Sequence, residues 1–518
     1  MAAYDCVIVG GGHNGLTAAA YLARAGKRVC VLERRHVLGG CTSTEELWPG
    51  FRASPAAYVI SLFLPEIIDE LQLARHGFAI LPRDPSSFTP LLDGRYLLLG
   101  HDPAANAREI GKFSARDAEA HPQYDAFLTR LAEVLEPLMA APAPALPPRL
   151  GDAFRWWQYY GAMRQLGDDL RSAVEMFTAP ASRILDRYFE SEPLKATLAT
   201  DAIIGAFAAP STPGSAYVLL HHVMGQTGGW RGVWGYVRGG MGGLAEALAA
   251  AARAAGAEIR TEAEVVKIDV RHGAAMGVAL ADGTEIAAGR VASGIDAHQT
   301  FLRLVGTEHL PPAFAGEVRR IDYASASAKV NLALDRLPDF RCGEVPPEVA
   351  LRGTIHMAPD SAFIERAFDD ARYGRPSGEP VLEMTIPSLV DPSLAPAGKH
   401  VASIFVQYAP YQLAEGTWDE QREPFGDRCL ELLAQYAPNI RQIVAGRQVL
   451  TPLDLERTYG LTGGNIMQGA MGLDQLGPMR LGYRSPVANL FLCGAATHPG
   501  GGVIGACGRN AAKAVLRG

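Results

Sequence analysis

The stretch Tyr4-Asp5-Cys6-Val7-Ile8-Val9-Gly10-Gly11-Gly12-His13-Asn14-Gly15 decides the fold. Its first half is a short apolar, β-branched run, as a strand buried on both faces of a parallel sheet requires. It leads straight into a full G-x-G-x-x-G. Leu16 to Ala25 then reads as an Ala- and Leu-rich helix, closed by Gly26 where a C′ glycine belongs. A second strand, Arg28-Val29-Cys30-Val31-Leu32, ends in Glu33, about 20 residues beyond the glycines, where a ribose-binding carboxylate is expected. Each glycine does something mechanical. Gly10 makes the tight turn, Gly12 lets the backbone approach a pyrophosphate, and Gly15 brings helix close to strand. The helix N-terminus, with His13 and Asn14, faces the phosphates. A lone glycine fingerprint is weak; strand, turn, helix, strand and acid in register specify an α/β, Rossmann-type dinucleotide site.

Working outward, Glu33-Arg34-Arg35 is followed within a few residues by Leu38-Gly39-Gly40. NAD-only Rossmann domains have no general need for that second glycine pair. It resembles the doublet of flavoproteins of the amine oxidase and phytoene desaturase type, where the chain passes close under FAD. A non-covalently held FAD is therefore the expected cofactor.

A chain of 518 residues is too long for one core and implies two domains. Its net charge of −7 gives no basic field for nucleic acid. The seven cysteines show no C-x-x-C pair, which argues against a zinc site or a disulfide frame and for reduced thiols. No metal site is expected. The N-terminus enters a strand at once, with no room for a signal peptide, and no apolar run is long enough to span a bilayer. The expectation is a cytoplasmic protein, with peripheral membrane association as an option. The sequence leaves its oligomeric state open.

Further along, Tyr58 to Leu73 is strongly apolar: a buried helix is the plain reading, a channel or membrane-facing helix the sharper one. Asp93-Gly94 marks a hairpin, and residues 102–220 are mostly helical around the Pro/Ala-rich loop Pro142–Pro148. Phe154-Arg155-Trp156-Trp157-Gln158-Tyr159-Tyr160 suits either an apolar ligand surface or a domain core. After Gly239-Gly240-Met241-Gly242-Gly243 and an Ala-rich helix, residues 257–260, 265–270, 275–280 and 285–286 read as a meander. Arg290 to Gly294 then returns as a strand to the nucleotide sheet. Residues 300–444 alternate strand and helix patterns.

Near the C-terminus, Asn489 to Cys493 is a strand opening onto Gly494-Ala495-Ala496-Thr497-His498-Pro499 and then Gly500 to Gly505. Gly500-x-Gly502-x-x-Gly505 has the fingerprint spacing without its context: no strand directly precedes it, and no ribose-binding acid follows. A second nucleotide site is disfavoured. The better use of Gly500 to Ile504, with Gly502, Val503 and Ile504 at its centre, is close approach to a flavin ring. The next helix would then aim its positive end at the N1–C2 edge; an ordinary Gly-rich turn is the alternative.

Taken together, the chain resembles FAD-dependent oxidoreductases of the phytoene desaturase and carotenoid isomerase superfamily. The carriers are Val9 to Leu16, Leu32 to Arg35 with Gly39-Gly40, Pro82 to Pro90, Gly463-Gly464-Asn465-Ile466, Asp474-Gln475-Leu476, Leu492-Cys493-Gly494, His498 to Gly502 and Gly508 to Ala512. The resemblance implies a discontinuous FAD-binding domain of residues 1–75, 225–300 and 445–518, interleaved with an α+β substrate domain of 76–224 and 301–444. It places Val265 or Val266 against adenine, Gly294 and Gly494 with the cofactor residues, and Gly240, Met241 and Asn465 at the substrate cavity. Flavin disulfide reductases need two cysteines after the doublet; Cys41 stands alone, with Glu46 where its partner would fall.

The implied reaction is hydride removal from, or double-bond relocation in, an apolar small molecule. His498 is the first candidate for acid–base or positioning work, with a loop-capping role equally open. His221, His222 and Arg231 are positional candidates for the cavity. Two rival classes remain: an amine or amino-acid oxidase using oxygen, and a non-catalytic flavin-bearing protein that acts through a partner.

Overall fold

The computed structural model describes residues 3–148, 150–343 and 345–518. Residues 1 and 2, with which the first expected domain begins, lie outside them.

Continuous apolar runs build the first sheet. It is parallel, in the order Glu258–Arg260, Val29–Leu32, Cys6–Val9, Val291–Ser293, Leu490–Leu492, so the start, middle and end of the chain meet in five strands. Side chains alternate between its faces. Cys6, Ile8, Val29 and Val31 point into a core shared with helices His13–Arg24, Gly242–Ala254 and Ala506–Leu516. Val7, Val9, Cys30 and Leu32 point the other way, onto the meander Val265–Arg271, Ala274–Leu280 and Glu285–Ala287.

The second sheet has seven strands in the order Val444–Leu450, Ser327–Leu334, His400–Gln407, Val381–Thr385, Thr354–Met357, Ser87–Pro90, Tyr96–Leu99. Neighbours are antiparallel, except that Thr354–Met357 runs parallel to Ser87–Pro90. Helices Pro103–Gly111, Ala115–Ala140, Ala153–Leu166, Leu170–Thr178, Ala181–Tyr188, Glu192–Thr200 and Ser215–Val223 make up most of the expected helical stretch.

Three expectations need correction, and one open alternative narrows. Glu258–Arg260 leaves the meander: the helix before it delivers it as a parallel neighbour of Val29–Leu32. The boundary at residue 445 falls within Val444–Leu450, whose backbone pairs with Ser327–Leu334 and therefore sits in the seven-stranded sheet. In the Tyr58 to Leu73 run only Pro65–Glu70 is α-helical, because Pro65 sets a helix start and holds Leu64 extended. The aromatic stretch is not a domain core on all sides: on helix Ala153–Leu166, Phe154 and Trp157 are each 66% exposed and Tyr160 is 54% exposed. No described helix is long and apolar enough to cross a membrane.

Candidate active site

One cavity of about 430 Å³ runs from the carboxyl ends of the parallel strands to one face of the seven-stranded sheet. At its first end the wall is glycine backbone. Gly10, Gly12, His13, Asn14, Gly15, Glu33, Arg34, Gly39, Gly40, Val265 and Gly294 all line it. Gly10 takes a φ of +96°, which lets the chain turn at the strand end. A Cβ on Gly15 would lie 2.3 Å from the Gly10 carbonyl oxygen, so only glycine lets the helix start this near the strand. Gly12 is different: its φ is −70°, and a Cβ there would meet only the Gly39 carbonyl oxygen at 3.8 Å. The protein itself makes no demand for glycine at that position; a group in the cavity would.

The glycine doublet is tied to the first fingerprint by Gly39 N–H donating to the Gly11 carbonyl (2.8 Å). The Glu33 carboxylate accepts from the Gly11 N–H (2.8 Å) and the Arg35 N–H (3.0 Å), which fixes it at the tip of its strand. Arg34 donates to the carbonyls of Arg457 (2.9 Å) and Thr458 (2.6 Å), pinning helix Pro452–Tyr459 beside the cavity. Asn14 Oδ1 is buried without a partner among the described residues, and burial holds the His13 imidazole neutral with a pKa of about 4. Open glycine backbone, a helix start, a fixed carboxylate and an orphaned amide oxygen fit the diphosphate and ribose of a dinucleotide.

The closing loop reaches the same cavity through Gly501, Gly502 and Val503. Val503 has a φ of +60°, a costly conformation for a β-branched residue, so this loop is held in a specific shape. Burial drives the Cys41 thiol up to about 12, with Arg35 pulling it back only partly, so it is no thiolate at neutral pH.

The far end of the cavity is walled by side chains that, apart from the expected His222, sequence reasoning missed. Arg83, Asp201, His222, Lys329, His356 and Glu383 line it, together with Tyr58, Leu198, Ile204, Trp234, Phe405 and Ile466. His356 and Glu383 face each other across neighbouring strands, and His356 Nδ1 lies 3.0 Å from a Glu383 oxygen. Nδ1 is also 3.1 Å from the Thr200 hydroxyl, whose own proton goes to the Thr197 carbonyl (2.8 Å). Nδ1 therefore carries the hydrogen, and Nε2 is the nitrogen left for the cavity. Burial pushes the Glu383 carboxyl up, but the hydrogen bond from His356 outweighs it and leaves the carboxyl below its ordinary range. His222 is oriented likewise: its Nδ1 donates to the Val218 carbonyl (2.8 Å). The Lys329 ammonium lies 3.6 Å from the Tyr58 ring centre and 2.7 Å from Ser403 Oγ. Burial forces its pKa well below the usual lysine value, with Glu383 opposing.

Several expected site residues lie elsewhere. His498 is buried behind the loop: Nε2 bonds the Leu138 carbonyl (2.9 Å), and Nδ1 has no partner among the described residues. It does not wall the cavity, and burial lowers its pKa to about 4, so it is a packing residue rather than an acid or base there. Asn465 is a clamp: its amide donates to the Ala324 carbonyl (2.8 Å) and accepts from the N–H groups of Met467 (3.0 Å) and Gly469 (3.2 Å). It thereby shapes Ile466, Met467 and Gln468, which do line the cavity. Gly240 and Met241 pack behind the wall, where Met241 N–H donates to Ser54 Oγ (2.9 Å) and a Cβ on Gly240 would lie 2.4 Å from Thr44 Oγ1. Val266 is 41% exposed, because strand alternation turns it away from the side Val265 faces. Gly494 is a crossing point, where a Cβ would lie 2.4 Å from the Gly294 carbonyl oxygen. Ile504 turns into a small neighbouring pocket with Ser61 to Pro65. His221 sits behind Gly501, its Nε2 3.2 Å from that carbonyl oxygen, and Arg231 pairs with Glu136 (3.0 Å).

Residues 15–516 match the family described as flavin containing amine oxidoreductase. The chain is 47% identical over 542 residues to the rat (Rattus norvegicus) pyridine nucleotide-disulfide oxidoreductase domain-containing protein 2, covering 99% of this chain and 93% of the relative. It is 25% identical to the lycopene-forming phytoene desaturase of Pseudescherichia vulneris, covering 98% of each. Wild-type putrescine oxidase with bound putrescine shares the fold at a TM-score of 0.62 and 16% identity, covering 99% of this chain and 98% of that one. A dinucleotide cradle built from both ends of the chain and a match over nearly its whole length agree: the chain belongs to the flavin-containing amine oxidoreductase family, as an FAD-dependent oxidoreductase.

Proposed function

We propose that the protein dehydrogenates, or isomerises without net redox change, an apolar small molecule held between the two sheets. The observation that carries this reading is the continuity of one cavity, from the glycine cradle to a wall containing Tyr58, Leu198, Ile204, Phe405 and Ile466. FAD, held non-covalently by the glycine end, supplies the hydride acceptor at N5. The residues around it position and dry the reacting carbon: the apolar wall excludes water, and the loop through Val503 fixes the depth of approach. The imidazoles of His222 and His356, each pinned through Nδ1, present Nε2 as the proton acceptors nearest the substrate side. The desaturation named for the bacterial relative supports the same class.

Anaerobic mixing of the holoenzyme with a panel of polyenes, apolar alcohols and amines tests this. Bleaching of the flavin by an apolar donor is expected. Bleaching by an amine alone, with peroxide released in air, replaces the reading with an amine oxidase. A flavin that stays oxidised with the whole panel while a protein partner co-purifies stoichiometrically replaces it with a non-catalytic role. Mass spectrometry of small molecules carried through purification identifies the substrate directly.

Delivery of an apolar compound also suits a protein that touches a bilayer. Phe154, Trp157, Tyr160 and Met163 form one exposed ridge on helix Ala153–Leu166, next to Arg155 and Arg164. Aromatic and basic side chains at this spacing fit a headgroup boundary. Flotation with vesicles containing anionic lipid, abolished in Trp157→Asp, is the expected result.

A further inference from the structure

The far end of the cavity contains a cation without a counter-ion. Arg83 is 4% exposed and lies on the cavity wall. Its Nε donates to the Trp234 carbonyl (2.6 Å), its Nη1 to the Thr354 hydroxyl (2.8 Å), and its plane lies over the Tyr236 ring, 5.6 Å from the centre. All three are neutral partners. The Tyr236 hydroxyl is also a hydrogen-bond partner, and no carboxylate comes within ion-pair distance of the guanidinium among the described residues. A guanidinium so nearly removed from water normally faces a carboxylate or phosphate, since an unpaired buried charge is costly.

The two nearby acids do not fill that role. Glu383 is committed to His356 at 3.0 Å. Asp201, on the same wall, is pushed upward by burial toward its neutral form, with His222, His356 and Arg83 opposing. Lys329 also lacks a carboxylate partner, but its amine is held by Ser403 and the Tyr58 ring and burial lowers its pKa, so it keeps its proton less firmly than a guanidinium does. The arrangement therefore leaves one fixed positive charge, held by its backbone and hydroxyl partners, open to the cavity. Its planar fork suits bidentate contact with a carboxylate.

We infer that Arg83 anchors the carboxylate of an amphipathic acid whose apolar body lies along the cavity toward the flavin end. The inference rests on the proposed function for the apolar body and goes beyond it in naming the headgroup. It makes the substrate class an apolar carboxylic acid rather than a pure hydrocarbon or an amine. His222 and His356 flank the same end, but with Nδ1 carrying the hydrogen their Nε2 atoms are acceptors, which leaves the carboxylate to Arg83.

Calorimetric titration of the holoenzyme with decanoate, 1-decanol and decylammonium tests the headgroup at constant chain length. Decanoate should bind wild type at least about tenfold more tightly than either of the others. Arg83→Met should bring decanoate down to the level of decanol and leave decanol unchanged, while Arg83→Lys retains part of the preference. Equal binding of the three, tightest binding of the ammonium, or a full carboxylate preference in Arg83→Met overturns the inference. If Arg83→Met does not fold, the wild-type ranking decides alone. A carboxylate preference without flavin bleaching by any apolar donor defeats the proposed reaction and leaves the anchor standing. Bleaching by apolar donors without the preference defeats the anchor alone.

Discussion

The two sheets build their halves of the cavity by opposite means. The parallel sheet contributes backbone: Gly10, Gly12 and Gly294 follow the carboxyl ends of its strands, with a helix start and one fixed carboxylate beside them. The seven-stranded sheet contributes side chains from its face: Lys329, His356, Glu383 and Phe405 come from four different strands. A backbone cradle recognises what all dinucleotides share, whereas a side-chain wall can be rewritten one position at a time. The difference separates a cofactor common to a family from a substrate particular to one member.

The most severe test of this contrast adds a side chain at two glycines of the cradle region. Gly508 lies inside helix Ala506–Leu516, where alanine would ordinarily be favoured by about 1 kcal/mol. Here a Cβ would lie 2.1 Å from the Asn14 carbonyl oxygen and 2.9 Å from Thr17 Cβ, so the first and last helices must separate. Gly508→Ala is expected to cost about 3 kcal/mol, read as a large fall in melting temperature with loss of soluble protein. Gly12→Val should do the reverse. The site is sterically open, so the chain should fold with nearly unchanged far-UV dichroism but without yellow colour. Yellow Gly12→Val protein would remove Gly12 from the cofactor contact.

The same contrast explains what could be read from the sequence. A cradle built on one strand–turn–helix is local, so its spacing appears between Val9 and Glu33, and even the separate uses of Gly10 and Gly15 could be assigned. The far wall left no such trace. Arg83, Asp201, His356 and Glu383 are separated by up to hundreds of residues and meet only in the tertiary fold: strand register pairs His356 with Glu383, while Arg83 comes from a loop and Asp201 from the end of helix Glu192–Thr200. A faint signal existed: Lys329, Asn331 and Glu383 are polar residues inside otherwise apolar strands, which a buried strand tolerates only for a partner or a ligand. His498 misled for the opposite reason. Adjacency to Gly500 in sequence does not set direction, and the loop turns its imidazole toward Leu138.

Two substitutions in the far wall probe whether its charges are held at a cost to stability. Glu383 keeps a lowered pKa because its hydrogen bond with His356 outweighs burial, so it stabilises the fold above the unfolded carboxyl value. That contribution disappears as pH falls through the lower folded value. Glu383→Gln should lose about 2 kcal/mol at pH 7 in denaturant melts, with the gap to wild type closing under acid. Lys329 has the opposite sign. Burial lowers its pKa, so the folded chain binds fewer protons than the unfolded one, and stability from this group rises with pH until about 10.5. Lys329→Met should gain about 1 kcal/mol at pH 7, with the gain shrinking as pH approaches 10.5. A Lys329→Met protein less stable at pH 7, with a gap that widens on raising the pH, would contradict a desolvated lysine.

The smallest effect is expected at His498, and it separates proximity in sequence from contact in space. The residue is 4% exposed, and burial lowers its pKa to about 4, partly opposed by the Leu138 carbonyl. In the unfolded chain the imidazole takes up a proton near pH 6.5, whereas in the folded chain it stays neutral to about 4. The fold therefore loses about 1.4 kcal/mol per pH unit from this group across that window as pH falls. His498→Ala should remove that acid sensitivity while costing about 1 kcal/mol at pH 7.5 through the lost bond to Leu138. Flavin reduction by a competent substrate should change less than about twofold, because the ring neither walls the cavity nor reaches it. A loss of about a hundredfold in reduction rate with unaltered stability would return His498 to the chemistry, and would mean that the closing loop turns over when substrate binds.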